Sequence, residues 1–172
     1  SHKINHDAFL WRGGALLARA RRFLAALDHV AISFYPPLRL DRPRSWWREA
    51  TRARHVAEVA GAFARTAAAL AEPARAIAPL AIGEFGLGSA DVSAPWRFDC
   101  PDPSAIAEVR RKYYLGFLEF LRGSGGLFAG GPATFWSAGH FDVLGVLPGG
   151  ENFRDEAIEA AVGNYNWAII GE

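Results

Sequence analysis

Pro79-Leu80-Ala81-Ile82-Gly83-Glu84-Phe85-Gly86 is an apolar run that opens on a proline, closes on a glycine and carries one carboxylate near its end. A run this short, bounded by turn residues and rich in aliphatic side chains, reads as a buried strand. Val30-Ala31-Ile32-Ser33-Phe34-Tyr35, stopped by Pro36-Pro37, reads the same way. Between the two, Val56, Val59, Ala60, Phe63 and Leu70 recur at helical spacing, with Ser45 as the expected N-cap and Pro73 as the expected stop. Upstream, Leu16, Leu17, Ala20, Phe23, Leu24 and Leu27 mark a helix, and His2 to Asn5 a strand stub. Downstream, Asp102-Pro103 opens a helix with Ile106, Val109, Tyr113, Phe117 and Phe120 on its apolar face, ending at Gly123. Ala133-Thr134-Phe135-Trp136 fits one more strand, and Asn152 can cap a last helix through Ile158, Ala161, Val162 and Tyr165.

The order βαβαβαβα predicts an α/β fold with a parallel sheet and helices packed outside it. Four such units in 172 residues match the C-terminal half of a (β/α)₈ TIM barrel, which takes about 250 residues for eight. An open four-stranded parallel sheet is the alternative. No linker, internal repeat or low-complexity segment divides the chain, so residues 1–172 are expected to form a single domain. Half a barrel leaves sheet edges unpaired, which makes a missing barrel half or a second chain an expected partner. The lack of any methionine over this length also points to residues outside those given.

Lys and Arg number 19 against 18 Asp and Glu, a net charge of +1. That balance argues against a polyanion binder, so no nucleic-acid partner is expected. Arg19, Arg21 and Arg22, and the scattered Arg39, Arg42, Arg44 and Arg48, read as solvated faces. No apolar run approaches the roughly 18–20 residues that span a bilayer. The single cysteine, Cys100, rules out an internal disulfide framework and a cysteine-based zinc site. No phosphate-binding Gly-x-Gly-x-x-Gly follows the first strand and no Gly-Lys-Ser/Thr occurs, so no nucleotide cofactor is expected.

In parallel α/β folds the strand-to-helix loops carry the site. Glu84, at the end of an apolar strand, is therefore the first candidate for a nucleophile or general acid/base; the alternative is a strand-end carboxylate in a structural ion pair. Tyr35 ends the preceding strand, where it can hydrogen-bond a carboxylate on the neighbouring strand or serve as a core tyrosine. Trp136 at a strand end can stack on a sugar face, and Trp96, in the loop after Glu84, can form a second wall; for each the alternative is a hydrophobic plug. Trp46 and Trp47 begin a helix, where packing is the expected role. His140 and Asp142 alternate, so an extended backbone points both the same way, toward sugar hydroxyls or, with less support, part of a metal site. Asn5, with Lys3, His6 and Asp7, lines the same mouth if His2 to Asn5 is a strand of the barrel; a frayed terminus is the equal alternative.

Three segments in order, Asp28 to Leu38, Ile82-Gly83-Glu84-Phe85-Gly86 and Thr134-Phe135-Trp136-Ser137, resemble the last three strands of a retaining glycoside hydrolase of the (β/α)₈ clan, of the family 113 β-mannanase-like type. Arg111-Lys112-Tyr113-Tyr114 and Ala161-Val162-Gly163-Asn164-Tyr165-Asn166 extend the likeness, which covers the chain from about residue 28 onward. The resemblance implies that Glu84 is the nucleophile, that Tyr35 orients it and that Trp136 is the sugar platform. It also implies an acid/base Glu at the end of a fourth strand, and no segment here matches that motif. The expected activity is thus hydrolysis of a β-linked polysaccharide or oligosaccharide, with the acid/base supplied from outside these residues, without cofactor or metal, and in an extracellular or periplasmic setting. A non-catalytic carbohydrate-binding module of the same fold is the alternative.

Overall fold

The computed structural model describes residues 3–5, 15–34, 40–75, 80–85, 103–123 and 155–170. Three strands form a parallel sheet in the order β1 (Lys3–Asn5), β2 (Val30–Phe34), β3 (Leu80–Phe85). The helices are α1 (Ala15–Leu24) between β1 and β2, α2 (Arg44–Arg48) and α3 (Ala53–Arg75) between β2 and β3, then α4 (Pro103–Gly123) and α5 (Glu156–Ile170). This is an α/β arrangement with a parallel sheet, as the alternation of elements predicts. The fourth expected strand, Ala133 to Trp136, lies outside the described residues.

Alternation in β2 sorts its side chains: Val30, Ile32 and Phe34 are wholly buried, and Phe34 meets the helix layer. Phe85 does the same from β3, stacked on Phe117 and within 5.1 Å of the Tyr113 ring. Phe63 of α3 stands edge-on to Phe85, Tyr113 and Phe117, so one aromatic cluster joins two strands to two helices. Each such ring withdrawn from water contributes about 1.5–3 kcal/mol, which makes this cluster the main apolar bond between the layers.

The helices α3 and α4 run in the same direction, because Val59 lies against Gly116 and Phe63 against Phe120. The pairing of Asp155 with Arg111, and the influence of Arg122 on Tyr165, give α4 and α5 the same relation. Parallel neighbouring helices are what successive βα units produce.

Three boundaries and one side chain differ from the pattern. The helix expected from Ser45 is broken in two: Pro43 stands at the N-cap of α2 without a side-chain cap, and Glu49, at φ −61° and ψ 144°, ends it in an extended conformation. Tertiary hydrogen bonds to residues 47–51, described below, replace the helical ones lost at the break. The helix α3 passes through Pro73 to Arg75; a proline there has helical φ and removes only one bond of the last turns. The cap of α5 is Asp155, whose Oδ1 accepts from the amides of Ala157 and Ile158; Asn152 and Asp102 lie outside the described residues. Phe23 is half exposed, while its neighbour Leu24 holds the buried face of α1. Arg19, Arg21 and Arg22 are exposed and Trp46 and Trp47 buried, as expected. No described helix is long and apolar enough to cross a membrane.

The close approach of α3 and α4 depends on Gly116. A Cβ added there would sit 2.6 Å from Val59 Cβ and 3.3 Å from the Ala60 amide nitrogen, atoms that cannot swing aside. Gly116→Ala gains about 1 kcal/mol of helix propensity and loses more to overpacking. The expected net loss is about 1–3 kcal/mol, read as a lower urea midpoint with unchanged m value. An unchanged or raised midpoint would show that the two helices do not touch at this point.

Candidate functional site

Register places the candidate residues relative to one another. Lys3, Ala31 and Ala81 form one row across the sheet, and Ile4, Ile32 and Ile82 the next. The pairing of β2 with β3 then shifts by one residue, so that Ser33 is matched with Glu84 and Phe34 with Phe85. Gly83 is the extra residue. A Cβ on it would stand 3.0 Å from the Ala31 methyl, so the position is tight as well as irregular. Asn5 is the partner of Ser33 on the other side. Asn5, Ser33 and Glu84 therefore occupy a single row, near the C-terminal ends of three parallel strands. Without the irregularity Glu84 would fall opposite Phe34, in the row that packs against the helices. Irregularities of this kind recur beside active sites, where they reposition one residue against its neighbours.

Two of the candidates, Asn5 and Glu84, are thus brought to one level of the sheet. Tyr35, Trp96, Trp136, His140 and Asp142 lie outside the described residues. Among the described residues no group of three or more His, Cys, Asp or Glu is placed to hold a metal ion.

Beyond the strand ends lies a polar cluster that has no role in the expectations from sequence. Phe34 and Phe85, the last residues of their strands, pack at the level of Phe63, Tyr113 and Phe117. The cluster is carried by residues one or two turns nearer the helix N-termini, His55 on α3 and Glu108, Arg111 and Lys112 on α4, so it sits past the C-terminal edge of the sheet. Glu108 Oε2 accepts from the Thr51 amide at 2.7 Å and from the Thr51 hydroxyl at 2.6 Å. Its other oxygen accepts from Arg111, whose Nε donates to Asp155 Oδ2 at 2.8 Å. Lys112 is fully buried, donates to the carbonyls of Trp47 and Glu49, and stands 5.4 Å from the centre of the Trp46 ring. Desolvation holds the Lys112 ammonium below the usual lysine range, with Arg111 adding to the effect and Glu108 and Glu49 opposing it.

The basic run Arg110-Arg111-Lys112 overlaps the stretch Arg111-Lys112-Tyr113-Tyr114 that extends the likeness, which assigns it no role. The missed signal is its setting: the run is flanked by Val109, Tyr113 and Tyr114, which bury that turn of α4 from both sides. A groove elsewhere, between α3 and α4, is lined by the exposed Ala57, Ala64 and Ala68 and by Phe120.

His55 is the titrating member of the cluster. Its ring lies 4.6 Å from that of Trp46, and its Nε2 accepts from Arg54 Nε at 3.2 Å, which assigns the proton to Nδ1. Nδ1 has no hydrogen-bond partner among the described residues. Burial, then the positive charges of Lys112 and Arg54, lower its pKa from the ordinary 6.5, against the opposing pull of Glu49 and Glu58. Below pH 6.5 the unfolded chain therefore binds more protons at this position than the folded one. Stability contributed by neutral His55 is present above that pH and is lost as pH falls through the lowered folded value. His55→Gln removes this titration, so the stability difference between wild type and variant should narrow from pH 7 to pH 5 in urea unfolding. Parallel pH curves would remove His55 as the cause.

No family model matches this chain, and no curated protein and no solved structure matches it either.

Proposed function

We propose that this chain is a retaining glycoside hydrolase of the two-carboxylate type, acting on a β-linked polysaccharide or oligosaccharide, and similar to the family 113 β-mannanase-like enzymes. The observation that carries the reading is the row Asn5, Ser33, Glu84. It sets one carboxylate residue among small polar ones at the C-terminal ends of parallel strands, where α/β enzymes assemble their sites. In this reading the chain supplies about the last four βα units of a (β/α)₈ barrel. The common direction of α3, α4 and α5 supports it, since a strand between α4 and α5 would return the chain to the start of the next parallel helix. Glu84 attacks the anomeric carbon and Tyr35 holds its carboxylate ionised and oriented. Trp136 and Trp96 stack on the sugar, and His140, Asp142 and Asn5 bind its hydroxyls. An acid/base carboxylate about 5–5.5 Å from Glu84 protonates the leaving oxygen.

A second reading keeps one observation in view. Glu84 is the only carboxylate residue on the described strands, so the acid/base must come from elsewhere. A carbohydrate-binding module of the same fold needs none.

Glu84→Gln separates these readings, because the change is isosteric. A nucleophile role predicts loss of turnover on dinitrophenyl β-glycosides and on β-linked polysaccharides by about a thousandfold or more, with melting temperature unchanged and oligosaccharide binding within a few-fold. A structural ion pair predicts a loss of about 3–5 kcal/mol and unchanged activity per folded molecule. A wild type that binds oligosaccharides and cleaves none supports the binding module.

A further inference from the structure

Glu108, Arg111 and Lys112 stand at i, i+3 and i+4 on α4 and so share one face of that helix. Two of them grip the same short stretch of another unit. Lys112 donates to the carbonyl of Trp47, at 3.2 Å, and to that of Glu49, while Glu108 accepts twice from Thr51. The third, Arg111, holds Asp155, the cap of α5. Residues 47–51 connect α2 to α3 and belong to the segment that leaves the C-terminal end of β2.

Stability alone does not account for a lysine there. An ammonium withdrawn from water is costly, and an apolar side chain of similar length would pack beside Trp46 at least as well. What the ammonium adds is direction. The end of a short helix leaves carbonyls without partners, and Lys112 collects two of them from one point while the Trp46 ring covers it. That fixes where α2 stops and the angle at which the chain enters α3. Glu108 repeats the fixing two residues further on.

We infer that Lys112 is a positioning residue for residues 47–51, the connection into α3, and through it for the C-terminal edge of the sheet where the proposed site lies. Its effect on a reaction rests on the glycosidase reading above; its hold on the loop does not.

The test compares wild type with Lys112→Met, which keeps length and loses the charge, by amide hydrogen exchange at a temperature where both are folded. Amides of residues 47–52 should exchange at least about tenfold faster in the variant, with those of β2, β3 and the C-terminal half of α4 unchanged. On any β-linked oligosaccharide that the wild type hydrolyses, KM should rise about tenfold with kcat within about threefold, the mark of weakened substrate binding. Unchanged exchange at 47–52, or acceleration spread evenly over the chain, would overturn the inference. So would a loosened loop with unaltered KM. A wild type without hydrolysis counts against the glycosidase reading, and the exchange result then decides the positioning role by itself. Should Lys112→Met fail to fold, Glu108→Gln loosens the same stretch without changing the buried lysine and carries the same exchange criterion.

Discussion

Phe85 stacked on Phe117 fixes how far α4 is raised relative to β3, and most of what lies beyond the sheet follows from that height. Phe63 wedges edge-on between the strand ends and α4, so α3 takes its level from the same rings. Gly116 then allows α3 to come in against α4 with the Val59 side chain seated directly on the glycine. Aromatic packing is short-ranged and tolerates little sliding, because a ring displaced by one helical residue loses its partner. With the two helices fixed in height, Glu108 and Lys112 on α4 come level with the break between α2 and α3, and Arg111 with the start of α5.

The polar cluster is the complement of that packing. Parallel helices bring several N-termini to the same edge of the sheet, each with amides that lack intrahelical partners. Asp155 answers this need at α5 with its own carboxylate and is itself held by Arg111. The chain entering α3 is held instead by side chains from α4. Charged groups in this cluster are linked hand to hand, Thr51 to Glu108 to Arg111 to Asp155. A chain of satisfied groups can persist where a single buried charge would not.

How far this could be read beforehand depended on whether local pattern or distant contact governed each element. Strands β2 and β3 were readable because short apolar runs between turn residues have few other uses. The shift in register at Gly83 left a trace that is plain in retrospect: Leu80 and Ile82 alternate, yet the next large apolar residue is Phe85 and not residue 84. The break at Glu49 left none, since Glu49-Ala50-Thr51-Arg52 holds no glycine or proline; contacts from Lys112 and Glu108, some sixty residues away, impose it. Asn5 and Glu84 were singled out by position, and the row they share with Ser33 follows from strand pairing, which composition does not encode. Ser33 and Lys112 fall inside segments that carry the likeness but have no role in it, and His55 has none, because a serine in a strand, a lone histidine and a lysine beside two arginines each have an ordinary structural explanation.

The reach of Lys112 also bears on how the protein is made. The loop after β2 is closed by a residue 65 positions beyond Trp47, and its second hold spans 57 positions, from Thr51 to Glu108. A chain emerging from a ribosome at about 5–20 residues per second completes β2 several seconds before α4 can dock. During that interval residues 47–51 lack the groups that will hold them. One unit of the fold is thus finished only by its successor, and the C-terminal edge of the sheet is the last part of that unit to take shape.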